Sequence, residues 1–98
     1  MDEKIIILAE IPVKPEYFEE VKALCENTLK HTLQEKGCEA FYQTFKRDEP
    51  YTLVFFEIFS SQKSLDTHMN EDYTKTFFAG IKDKLSGKPT SSFLCEFR

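Results

Sequence analysis

From Tyr51 to Ser60 the chain is apolar on both faces of a strand: Val54, Phe56 and Ile58 point one way, and Leu53, Phe55, Glu57 and Phe59 the other. Side chains alternate across a strand with a period of two, so a sheet built on this segment must be covered on both sides. Just upstream, Cys38 to Lys46 reads as a second strand, with only Arg47-Asp48-Glu49-Pro50 between the two. A polar, turn-forming link of that length leaves no room for a crossover helix, so the pair is an antiparallel hairpin. Helices of the same chain can cover one face. With 98 residues there are too few elements to cover the other, which predicts a second copy of the chain packed there.

The segments flanking the hairpin repeat one plan. Ile5-Ile6-Ile7-Leu8-Ala9-Glu10-Ile11 is β-branched and apolar, the pattern of a central strand. Pro15 suits the first turn of a helix, where its missing N–H would be unpaired anyway. Phe18, Val21, Cys25, Thr28, Leu29 and Leu33 then form an apolar stripe, with Glu19, Lys22, Glu26 and Lys30 off it. Gly37 follows Gln34-Glu35-Lys36, where a residue able to take positive φ commonly closes a helix. After the hairpin, Ser60 or Ser61 caps a short helix bearing Leu65, His68 and Met69. A jog at Asn70-Glu71-Asp72 precedes Tyr73, Phe77, Ile81 and Leu85, ended by Ser86-Gly87-Lys88-Pro89. Phe93, Cys95 and Phe97 alternate with Leu94 and Glu96 as a last strand. The order β-α-β-β-α-β predicts one α+β domain over residues 1–98, ferredoxin-like, with an antiparallel sheet.

Charge and motifs remove several function classes. There are 13 Lys and Arg against 17 Asp and Glu, a net charge of -4, and no basic cluster, so nucleic acid is not an expected partner. The longest apolar run, Ile5 to Ala9, falls far short of the roughly 18 residues that cross a bilayer, and no signal-peptide pattern opens the chain. A cytoplasmic protein without membrane contact is expected. Cys25, Cys38 and Cys95 are odd in number and widely spaced, which reads as reduced thiols used as small hydrophobes. Gly37, Gly80 and Gly87 make no nucleotide-binding loop. His31 and His68 lie on different helices without a metal-ligand spacing, and no nucleophile elbow surrounds Ser60 or Ser61.

Two residues break the apolar pattern. His68, on the inner side of its short helix, is the best general-base candidate, since imidazole titrates near pH 6.5. The pattern is equally that of a buried neutral imidazole bonded to a backbone carbonyl, the commoner situation. Glu57 stands on a mostly apolar strand face, where a carboxylate needs a partner or a raised pKa. A structural hydrogen bond across the sheet or to a second copy is the simpler expectation.

Phe56-Glu57-Ile58-Phe59, then Leu65-Asp66-Thr67-His68, then Tyr73 and Phe77, resemble the signature of the antibiotic biosynthesis monooxygenase family. Ala9 to Pro15 is similar to the family's first strand and turn, and Gly37-Cys38 to its second-strand entry. Phe59 stands where the family often carries Trp, and Tyr73 where many members have His. The resemblance implies a homodimer whose sheets join into a dimeric α/β barrel, with an apolar pocket between sheet and helices. It also implies cofactor-free oxidation of a small aromatic substrate of quinol or anthrone type, with His68 as base. Tyr73 would hydrogen-bond a substrate oxygen, and Phe59 and Phe77 would wall the pocket. One branch of the family degrades haem with a Trp and a first-strand Asn. Here there is no Trp and the first Asn is Asn27. Another branch isomerises a phosphorylated quorum-sensing signal, and a non-catalytic ligand-binding or stress-associated module is the third alternative.

Overall fold

The computed structural model describes residues 3–97. Strand β1 is Ile5–Pro12, and after a 3-10 turn at Pro15–Tyr17 helix α1 runs Phe18–Thr32. Strands β2, Cys38–Lys46, and β3, Glu49–Phe59, form the hairpin. Helices α2, Gln62–Asn70, and α3, Asp72–Ile81, lead to strand β4, Thr90–Leu94. The sheet order is β2-β3-β1-β4, antiparallel throughout. This is the ferredoxin-like α+β fold, its second helix broken in two.

The register assigns the faces. Leu53, Phe55, Glu57 and Phe59 stand opposite Ile11, Ala9, Ile7 and Ile5 of β1 on the side that the helices cover. Val21, Cys25, Leu65, Phe77 and Ile81 pack onto these residues to form the core. On the other side Val54, Phe56 and Ile58 lie beside Glu10, Leu8 and Ile6, with Thr44, Tyr42 and Ala40 of β2 next in the ladder. Among the described residues no helix covers that face, and Tyr42 is 63% exposed.

Several boundaries differ from the sequence reading. The hairpin turn is only Arg47-Asp48, because Lys46 pairs with Glu49 and a register shift beside it accommodates Pro50 in the strand. The buried stripe of α1 is Val21, Cys25, Thr28 and Thr32, and Leu33 is 56% exposed. Spacings of four, three and four keep Thr32 on the inner face, and Leu33 lies about 100° around from it. Gly37 has no positive φ. It is small because a Cβ would overlap the Ser64 side chain, where β2 passes the start of α2. Helix α3 stops at Ile81, and Leu85 instead forms a β-bridge with Val13. Strand β4 ends at Leu94, leaving Cys95 and Phe97 exposed beyond it, so Cys95 is not a core residue. Among the described residues no helix is long and apolar enough to cross a membrane.

Candidate functional site

Helix α2 is short and depends on its ends. Ser61 caps it, its hydroxyl accepting from the Ser64 N–H at 3.1 Å, an interaction worth about 1 kcal/mol. At the other end Glu71 adopts an extended conformation, with φ -69 and ψ 143, and so separates α2 from α3. Between these stops Leu65 and His68, three apart, face inward.

His68 is held on three sides. Its Nδ1 lies 2.8 Å from Oε2 of Glu35, in the turn after α1. The Tyr73 hydroxyl donates to that same oxygen, and the His31 ring stacks on Tyr73 at 4.9 Å. Burial, followed by the hydrogen bond to Glu35, pushes the Tyr73 phenol upward and keeps it a donor. Behind the imidazole, Phe59 packs at 4.9 Å. Since a carboxylate only accepts hydrogen bonds, neutral His68 carries its proton on Nδ1 and presents Nε2 as a lone pair. Nε2 has no partner among the described residues, yet Thr74 Oγ1 is the only fully sealed and unpaired side-chain N or O among them. His68 Nε2 therefore keeps open surface, and the space it meets is a cavity of about 330 Å³.

That cavity lies between the sheet and the helices. Its floor is Ile7, Ala9 and Ile11 of β1 with Phe41, Phe55 and Glu57 of the hairpin. Its roof is Leu65, His68 and Met69 of α2 with Thr74, Phe77, Phe78 and Ile81 of α3, and Phe93 of β4 stands at one side. Of the residues singled out from sequence, His68 and Phe77 line it. Phe59 lies behind the imidazole, and Tyr73 stands edge-on to it with ring centroids 6.5 Å apart, neither of them in the cavity lining. Glu35, Phe41, Phe55 and Thr74 carry no sequence signal for the site, since Glu35 meets His68 only through a contact 33 residues apart in the chain.

Glu57 shares the cavity, and its carboxyl is pushed up to about 7 by burial and then by the charge of Glu35. The Cys25 thiol is pushed up to about 12 by burial, which keeps it protonated and unreactive. Among the described residues no group of His, Cys, Asp and Glu is placed to hold a metal ion.

The orphaned Thr74 hydroxyl yields a first prediction. A buried, unpaired hydroxyl costs about 1–3 kcal/mol, so Thr74→Val is expected to raise the thermal midpoint by roughly 4–8 °C per kcal/mol recovered. A calorimetric scan that finds no rise would place a partner on that hydroxyl.

A ferredoxin-like sheet over which helices enclose an apolar cavity with one anchored imidazole defines the class of this α+β domain. The sequence pattern of the family described as antibiotic biosynthesis monooxygenase matches residues 4–80, and the chain belongs to that family. A conserved protein of Methanosarcina mazei superposes with a TM-score of 0.89 and 27% identity, over 95% of this chain and 92% of that one. A Nitrosomonas europaea protein named for the same family gives 0.91 at 15% identity, over 99% and 93%. A Mycobacterium tuberculosis protein gives 0.91 at 21% identity, over 98% and 97%. An uncharacterized protein of Synechocystis is 28% identical over 85 residues, which is 87% of this chain and 58% of that protein. The chain thus spans little more than half the length of that relative.

Proposed function

We propose that the protein is a cofactor-independent monooxygenase that oxidises a small hydroxylated aromatic, of quinol or anthrone type, with dioxygen. The observation that carries this reading is His68, anchored through Nδ1 and open through Nε2 to an apolar cavity. A flat ligand held against Phe55 and Phe77 places its hydroxyl, or the enol of an anthrone, at Nε2. Proton transfer to Nε2 leaves an electron-rich anion out of water, and that anion reduces dioxygen. For an anthrone the CH₂ becomes C=O: one oxygen atom stays on carbon, the other leaves as water with the two hydrogens. The four electrons come from the substrate, so this chemistry needs no cofactor.

Among the described residues no Lys or Arg lines the cavity, which suits an uncharged ligand and disfavours a phosphorylated signal. The proposal includes a homodimer, because the face carrying Leu8, Tyr42, Phe56 and Ile58 is largely apolar, with Tyr42 63% exposed and the others half-buried. It also includes the cytoplasm, where the free cysteines Cys25, Cys38 and Cys95 would stay reduced.

The test is oxygen uptake with a panel of naphthalene quinols and anthrones, measured above the buffer rate. His68→Ala is expected to lower kcat/KM at least about 100-fold. Uptake that His68→Ala leaves unchanged would refute the proposed role, and no uptake with any substrate would favour the non-catalytic alternative.

A further inference from the structure

The proposed proton transfer leaves one acid in the cavity without a task. Glu57 stands mid-strand between Ile7 and Phe41, is 9% exposed, and has no hydrogen-bond partner among the described residues. It lines the cavity from the sheet, as His68 does from the helices. We propose that Glu57 is the second anchor of the ligand, its carboxyl donating a hydrogen bond to one oxygen of a flat aromatic whose other oxygen meets His68 Nε2. This rests on the oxygenase reading for the ligand's orientation and narrows its substrate class to uncharged aromatics with oxygens at two opposed positions, as in 1,4-quinols.

The walls support a donor there. Around Glu57 the cavity is lined by apolar side chains, among them Ile7, Phe41, Phe55 and Phe77. A hydrocarbon ligand would leave the carboxyl unsatisfied, whereas an oxygen function gives it a partner. The titratable groups around Glu57 hold its proton in place. The Glu35 charge opposes a second negative charge, and it also acts on Cys38, whose thiol is raised mainly by burial. Tyr73 remains a neutral phenol bonded to Glu35, and His68 is occupied with Glu35 through Nδ1. Near neutral pH and below, Glu57 is therefore a carboxylic acid that can donate. At higher pH it becomes a carboxylate that repels a ligand oxygen.

The probe is 4-methoxy-1-naphthol under anaerobic conditions: it is bicyclic and uncharged, offers a hydroxyl to His68 Nε2 and an ether oxygen to Glu57, and without dioxygen is not turned over. Its affinity is measured calorimetrically from pH 5.5 to 8.5. The wild-type protein is expected to bind about tenfold more weakly at the alkaline end. Glu57→Gln, whose amide still donates, is expected to bind equally at every pH. Glu57→Leu is expected to bind about tenfold more weakly than the wild type at pH 5.5. No binding by the wild type at pH 5.5, pH-independent binding, a pH dependence that survives in Glu57→Gln, or undiminished binding by Glu57→Leu would each overturn the assignment. Because the naphthol is bound without turnover, failure of oxygen uptake alongside pH-dependent binding would sink the oxidation and leave the Glu57 contact standing.

Discussion

Phe59→Ala is expected to cost about 3–5 kcal/mol of folding stability, the range for truncating a buried aromatic. Phe59 is 0% exposed, pairs with Ile5 on β1 and Cys38 on β2, and packs its ring 4.9 Å from His68. Nothing beside it is free to collapse into the gap, because the sheet backbone and the capped α2 fix both sides. A domain of this size holds about 5–15 kcal/mol in total, so the variant should melt at least about 12 °C lower. Phe78→Ala is the control, since Phe78 is 48% exposed and its truncation is expected to cost less than about 1 kcal/mol. Equal urea midpoints for the two variants would show that the Phe59 site repacks and that His68 does not depend on it. A surviving Phe59→Ala fold would also carry a loosened imidazole, because the ring behind His68 is gone while the Glu35 bond remains.

The fold was legible where a single period governs a segment. Alternation in Leu53 to Phe59 assigned both faces of β3, and the hairpin followed from the shortness of the link. The broken second helix was legible as a jog, and Glu71 supplies it with an extended backbone. Errors fell where tertiary contact outweighed the local signal. Gly37 looked like a helix terminator, but its small size serves the approach of Ser64, 27 residues on, which no local pattern records. Phe97 continued an alternating pattern, yet β4 pairs with β1 only as far as Leu94.

The cavity lining was legible only in part. His68 was visible as a polar residue on an apolar stripe, but its partner was not, because Glu35 sits in a polar helix end that reads as surface. Tyr73 illustrates a phase error. Counting only apolar residues groups Tyr73 with Phe77 and Ile81, whereas the buried set is Thr74, Phe77 and Ile81. Adjacent helical residues differ by about 100°, so Tyr73 turns toward Glu35 while Thr74 lines the cavity. The polar Thr74 gave the pattern nothing to count. The resemblance to the family drew attention to α2 and α3, which line the cavity, without fixing which residues face inward.

Glu57 makes the protein's stability depend on pH in a direction opposite to that of a salt-bridged carboxylate. Its folded pKa is raised from 4.5 to about 7, so the folded state binds a proton that the unfolded state releases sooner. Below pH 4.5 the group is neutral in both states and imposes no penalty. As pH climbs from 4.5 to about 7 the unfolded chain gains the free energy of ionisation first and stability falls, and above pH 7 the full loss remains. At about 1.4 kcal/mol per pH unit, that interval corresponds to about 3 kcal/mol, or a fall of roughly 10–20 °C in the melting temperature. Glu57→Gln keeps the shape and removes the titration. Its stability advantage over the wild type is expected to be near zero at pH 4.5 and about 3 kcal/mol at pH 8. Reading the difference between the two proteins cancels every group they share, which isolates Glu57 from the other carboxylates. Parallel melting curves across that window would mean that Glu57 ionises as freely in the fold as outside it, and the cavity would then hold a carboxylate where the proposed ligand needs a donor.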